Sequence, residues 1–160
     1  MYAELHCHSH FSLLDGASSP ERIVEAAHRA GLHALALTDH NGLYAAPQFY
    51  KAAKSTGIKP ILGAELALEG GSHIVLLVKD ATGYTNLCRM ITKAQITGSK
   101  GNPVLSFHYL KEYRQGLICL SACRKGEIPS LLLKGDKEAA LLAARKYLAL
   151  FGPDDFFIEL

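Results

Sequence analysis

At 160 residues the chain has the length of one domain, and 49% hydrophobic against 20% charged residues is an ordinary globular balance. Seventeen Lys and Arg against fifteen Asp and Glu leave a net charge of +2, too even for a nucleic-acid-coating or membrane-surface protein on electrostatics alone. No apolar run approaches the roughly 20 residues of a spanning helix, and the opening MYAELHCHSH lacks the basic-then-apolar order of a secretory leader.

The predicted elements alternate between short β-like runs and helices. Tyr2 to His6 reads as a first strand. Ser19-Pro20-Glu21 predicts a helix start: a capping serine, a proline where its missing N–H costs nothing, and an acid in the first turn. That helix carries Ile23, Ala27 and Ala30 on one face and stops at Gly31. Ala34 to Thr38 is a buried strand, a helix through Phe49 and Ala53 ends at Gly57, and Pro60 to Leu66 is the third strand. Ile74 to Val78 makes a fourth, followed by a helix across Leu87 and Ile91. Thr97 to Pro103, with two glycines, reads as loop. A short helix around Tyr109, a fifth strand at Leu117 to Leu120, a helix from Lys137 to Leu150 and a sixth strand at Phe156 to Leu160 complete the chain. Continuous apolar strands separated by helices predict an α/β fold with a parallel sheet, either open or most of a barrel. No linker, repeat or low-complexity tract interrupts it, so residues 1–160 read as a single domain.

Parallel α/β folds collect functional groups at the carboxyl ends of their strands. Four predicted strands end in metal-capable side chains: His6 and His8 after the first, His40 after the second, Glu65 on the third and Cys123 after the fifth. His6 and His8, two apart on an extended chain, point to the same side and can share an ion. Taken singly these are weak signals. A His-x-His pair is more often a hydrogen-bonded polar pair, Asp15-Gly16 alone is a simple turn, and Asp39-His40 alone is a helix cap beside a surface histidine. Glu65 is harder to dismiss, because a carboxylate rarely ends an apolar strand without a partner. Asp39 is expected to orient His40 as a hydrogen-bond acceptor. His10, His28, His33 and His108 read as solvated, and Cys7, Cys88 and Cys119 as small core residues, all four cysteines being reduced thiols of a cytoplasmic protein.

Tyr2-Ala3-Glu4-Leu5-His6-Cys7-His8-Ser9, Leu14-Asp15-Gly16, Ala36-Leu37-Thr38-Asp39-His40-Asn41-Gly42 and Gly57 through Glu65 resemble the polymerase and histidinol phosphatase (PHP) family. More narrowly they resemble the PHP domain at the N-terminus of bacterial C-family DNA polymerases, the DNA polymerase III alpha type, with the Tyr-Ala-Glu-Leu-His-Cys opening leaning to the error-prone branch. Gly83-Tyr84-Thr85-Asn86-Leu87 and Gly116 through Ile128 extend the resemblance over essentially the whole chain. It implies metal ligands at His6, His8, Asp15, His40, Glu65, His73 and Cys123, of which Asp15 and His73 come from the resemblance alone. The first five of these are the implied catalytic group. It also implies a distorted seven-stranded β/α barrel of TIM-like form. The family's final Asp-x-His ligand pair is not found here, so an N-terminal portion of a PHP domain, an incomplete barrel, is expected.

Histidines, carboxylates and one cysteine suit zinc or manganese, with iron also compatible, and disfavour calcium or magnesium. Seven ligands exceed the need of one tetrahedral ion, which implies two or three ions in the complete site and makes Glu65 a candidate bridge. The expected chemistry is phosphoester hydrolysis by a metal-activated hydroxide. In the polymerase setting the resemblance implies 3′–5′ exonuclease proofreading on a DNA 3′ end, with the rest of the polymerase chain and replisome subunits as partners and no membrane. Two other readings stand beside it. One is a non-catalytic module that stabilises the polymerase or holds an exonuclease subunit; seven retained ligands weigh against it. The other is a stand-alone phosphatase of the histidinol-phosphatase type, against which the segments from Gly83 and Gly116 weigh.

Overall fold

A computed structural model describes residues 2–159. Eleven helices and strands occur among them: α1 (Pro20–Arg29), β1 (Ala34–Leu37), α2 (Ala46–Thr56), β2 (Lys59–Ala67), β3 (His73–Val78), α3 (Ala81–Thr97), α4 (Phe107–Tyr113), β4 (Leu117–Leu120), α5 (Glu127–Leu133), α6 (Lys137–Phe151) and β5 (Phe156–Phe157). The strands form one five-stranded sheet in the order β1-β2-β3-β4-β5. No helix of the described residues is long and apolar enough to cross a membrane.

The helix boundaries follow local chemistry. Ser19 caps α1, accepting from the Arg22 amide, and Pro20 occupies the first turn. The buried face of α1 is Pro20, Val24 and Ala27; Ala30, expected on that face, is exposed because the helix has already ended there. Gly57 closes α2 in the left-handed conformation (φ +78°).

The expected parallel sheet is corrected: β1 and β2 are parallel, as are β4 and β5, but β3 runs antiparallel to both neighbours. Only residues 68–72 separate β2 from β3, too few for the dozen or more of a crossover, and Gly70 and Gly71 take φ of +91° and +84° to reverse the chain. The continuous apolar run of β3 reflects burial on both faces rather than direction. Ile74 and Leu76 enter the large core under α3, α4, α5 and α6, while Val75 and Leu77 join Ala36, Leu120 and Ala122 on the other face. A smaller core joins β1 to α1 and α2 through Leu35, Leu37, Val24 and Phe49.

Two expected strands are also corrected. The Tyr2 to His6 segment runs beside β1 but makes only a bridge, Glu4 to Leu35. Its ladder breaks because the Glu4 carboxylate accepts the His6 amide (3.1 Å) that a strand partner would need. The last strand is two residues long, Phe156–Phe157, and Leu160 lies outside the described residues.

Candidate metal centre

The N-terminal segment is held against the end of β1 by Thr38, whose amide donates to the Cys7 carbonyl (2.8 Å) and whose hydroxyl accepts from the Cys7 amide (3.1 Å). This brings His6 and His8 over the sheet's carboxyl edge. The next turn is organised by Asp39, a buried carboxylate that accepts from the Ser9 amide (2.7 Å), the Ser9 hydroxyl (2.7 Å) and the Ser12 hydroxyl (2.6 Å). The expected role of Asp39 is thus corrected: its oxygens bind the loop, not the His40 ring. The link to His40 is indirect, through the Ser12 hydroxyl, which accepts from the His40 amide (3.1 Å). The Ser12 carbonyl then takes the amides of Asp15 (3.1 Å) and Gly16 (2.9 Å). A Cβ at Gly16 would stand 1.9 Å from the Ser9 carbonyl oxygen, so the turn that presents Asp15 closes only around glycine.

Among the described residues, three non-glycine residues have positive φ: Leu14 (65°), Asn41 (50°) and Ala122 (61°). Each immediately adjoins a sequence-predicted ligand, respectively Asp15, His40 and Cys123. Backbone strain of this kind persists where the surrounding structure over-determines it, and it gathers at functional sites. At Asn41 the fixing bonds are visible: its amide donates to the Glu65 carbonyl (2.8 Å), and its side-chain oxygen accepts from the Ala67 amide (3.0 Å).

Glu65 sits at the middle of the cluster, 1% exposed. One carboxylate oxygen, Oε2, faces His6 Nε2 (2.6 Å) and His8 Nε2 (3.5 Å). The other, Oε1, faces His40 Nδ1 (3.4 Å) and bonds His73 Nδ1. His40 Nε2 in turn meets Asp15 Oδ2 at 2.7 Å. Burial pushes the Glu65 carboxyl up, but the bonds from His6, His73 and His8 outweigh it and hold it well below the usual carboxylate range. Burial pulls His6 down, yet bonds to Glu159 and Glu65 carry it up to about 10. The His40 bond holds Asp15 below its ordinary value.

The donor set fits transition-metal ions. Three groups, His6-His8-Glu65, His8-Asp15-His40 and His40-Glu65-His73, each bring their donor atoms within 4.8 Å of one another. His8 Nδ1 is buried without a hydrogen-bond partner, which leaves that imidazole incompletely satisfied by protein alone. Six sequence-predicted ligands, His6, His8, Asp15, His40, Glu65 and His73, are therefore brought together. Cys123 lines the same cavity of about 400 Å³ but is exposed and enters none of the three groups.

His73 stands at the start of its strand rather than the end. Because β3 is antiparallel to β2, its first residue pairs with Ala67 near the carboxyl end of β2, and so reaches the same edge as the other ligands. Two lining residues escaped the sequence reading. Lys125 follows Cys123 by only two positions and carries no motif that sets it apart from the other lysines. Glu159 lies just after β5 and places Oε1 2.6 Å from His6 Nδ1. His10, His28, His33 and His108 are all exposed and outside the cluster.

A family profile described as PHP domain matches residues 4–160. The DNA polymerase III subunit alpha of Treponema pallidum (strain Nichols) is 44% identical over 172 residues, covering 99% of this chain and 15% of the relative. The error-prone DNA polymerase of Symbiobacterium thermophilum is 43% identical over 175 residues, covering 99% of this chain and 16% of the relative. The chain thus spans about a seventh of the length of the curated relatives it matches. Among solved structures, Endonuclease Q in complex with a 27-mer duplex substrate bearing an abasic lesion superposes with a TM-score of 0.53. It is 20% identical and covers 75% of this chain and 34% of that one, a likeness of fold.

Proposed function

Because the chain belongs to the PHP domain family, we propose that its histidine and carboxylate cluster is the metal-dependent phosphoesterase centre of a bacterial DNA polymerase III alpha-type protein, acting on a DNA 3′ end. The polymerase setting is supported by relatives above 40% identity over nearly all of this chain. The cytoplasm, the rest of a polymerase chain and replisome subunits as partners belong to the same reading. So does a barrel of seven strands, of which these five are part: the N-terminal segment flanks β1 at one side of the sheet, yet His6 touches Glu159 beyond β5 at the other.

The observation that carries the proposal is Glu65, whose two oxygens each face a different pair of imidazoles. That is the disposition of a carboxylate shared between two ions. His6 and His8 would hold one side and His40 and His73 the other, with Asp15 beside His40; Cys123 is assigned as a further ligand from the cavity wall. Zinc or manganese is favoured by this nitrogen-rich set. Such ions supply Lewis acidity toward phosphoryl oxygens and lower the pKa of water to about 7. The protein's own part is to hold and neutralise. Asp39, through Ser9 and Ser12, fixes the turn that carries Asp15. Lys125, the one lysine or arginine lining the cavity among the described residues, would offer its ammonium to a non-bridging phosphate oxygen. His6 Nε2 and Glu65 Oε2 share a hydrogen bond of 2.6 Å, and an ion held by these two atoms would replace its proton, so metal affinity would rise with pH.

The test is metal content by elemental analysis after dialysis, together with release of nucleotides from a 3′-labelled oligonucleotide in the presence and absence of added manganese or zinc. Glu65→Gln and His8→Ala should each lose metal and hydrolysis, and His28→Ala should keep both. A folded protein holding less than about a tenth of an equivalent at saturating metal would falsify the metal centre. Metal without hydrolysis would leave the non-catalytic module as the better reading.

A further inference from the structure

We infer that Glu159 is a positioning residue of this metal centre: its carboxylate holds the His6 ring by Nδ1 so that Nε2 is presented to the ion. The inference rests on the proposed metal centre and extends it to a residue outside the donor groups. An imidazole that coordinates through one nitrogen must carry its proton on the other, and the acceptor of that proton sets both tautomer and ring direction. His6 is arranged for this. Its Nε2 faces Glu65 at 2.6 Å, inside a donor group, while its Nδ1 faces Glu159 Oε1 at 2.6 Å. Glu159 belongs to none of the three groups whose donor atoms converge, and it meets His6 at the nitrogen turned away from Glu65. Among the described residues, His6 is the only ligand imidazole with its second nitrogen on a carboxylate outside those groups.

Glu159 is itself held in place. Its amide donates to the Ser121 hydroxyl (2.9 Å), and the Ser121 amide donates to the Phe157 carbonyl (3.0 Å), which ties the residues after β5 to the end of β4. The bond to His6 therefore fixes the N-terminal segment to the far side of the sheet, across 153 positions of sequence. Outer carboxylates of this kind typically change metal affinity about 10- to 100-fold on removal.

The experiment is zinc titration of the protein against a chromophoric chelator, with ring-proton NMR of the zinc-loaded form. Wild type should show a slowly exchanging downfield His6 Nδ1–H. Glu159→Ala should weaken zinc at least tenfold and lose that resonance, yet reach the wild-type number of ions at saturation. Glu159→Gln keeps an acceptor oxygen, so it should weaken zinc only a few-fold and move the resonance upfield; it carries the test if the alanine variant fails to fold. Unchanged affinity and an unchanged resonance in a folded variant overturn the positioning role. Loss of one ion at saturation also overturns it, since Glu159 would then be a ligand. A wild-type protein that binds no zinc overturns the metal centre and this inference together, whereas the first two results leave the metal centre standing.

Discussion

Replacing Asp39 by alanine is expected to remove about 3 kcal/mol of folding stability and to weaken metal binding in the same step. The buried carboxylate accepts three bonds of 2.6–2.7 Å from Ser9 and Ser12. Hydrogen bonds to a charged group contribute about 1.5–3 kcal/mol each, so the gross loss is roughly 4.5–9 kcal/mol. Two effects reduce it: the charge no longer has to be buried, and the two hydroxyls can turn to other acceptors or to water. The Ser9 amide cannot turn, and Ser9 is fully buried, so a donor left without a partner sets a floor of about 1–3 kcal/mol. For a chain of this length, about 3 kcal/mol corresponds to a fall in Tm of roughly 6–12 °C. Asp39→Asn keeps one acceptor oxygen and should lose about half as much. Thermal unfolding followed by circular dichroism, with zinc titration of the same samples, measures both parts. A Tm within about 2 °C of wild type would refute the accounting. A lowered Tm with unchanged zinc affinity would refute the coupling from Asp39 through Ser12 to His40 and Asp15.

Other expectations are more local. Burial raises the Glu127 carboxyl, but its bonds to Lys146 (2.6 Å) and Tyr147 (2.6 Å) win and hold it low. A folded-state value below the unfolded one, about 4.3, gives stability that is present above that value and lost as pH falls through the depressed one. Urea midpoints between neutral and acid pH should show this loss in wild type and a shallower one in Glu127→Gln. Lys125→Ala should raise KM for a model phosphodiester about tenfold without changing metal stoichiometry, and an unchanged KM would remove Lys125 from phosphate contact. Zinc should protect Cys123 from alkylation as mapped by mass spectrometry; equal labelling with and without zinc would take Cys123 out of the ligand set.

Much of the site was legible because its residues sit where strand ends converge, which depends on order along the chain. His6, His8, His40 and Glu65 follow that logic and meet in the structure. His73 does not follow it, since strand direction is invisible in an apolar run such as Ile74 to Val78. The short Glu69-Gly70-Gly71-Ser72 connection carried the missing signal, being a hairpin turn rather than a crossover. Glu159 was illegible for a different reason. Its significance comes from a sheet that curls until residues 6 and 159 touch, and no local pattern encodes that curvature. The Glu127–Leu133 helix was passed over because it is short and opens on Gly126, with no side chain to cap it.

The span of the His6–Glu159 bond also sets it apart, in chain entropy, from the other contacts of the site. His73 meets Glu65 across 8 positions, His40 meets Asp15 across 25, and His6 meets Glu65 across 59. Closing 153 positions costs about 1.6 kcal/mol more chain entropy than closing 25, and only once both ends of the sheet exist to be joined. The residues of the shorter-range pairs all precede Glu159 in the sequence, so synthesis supplies them before the residues after β5. His6 thus carries two tethers of very different span, one to Glu65 and one to Glu159. An ion held by His40, Glu65 and His73 would not need the tether to Glu159, whose part would be to close the sheet around those residues.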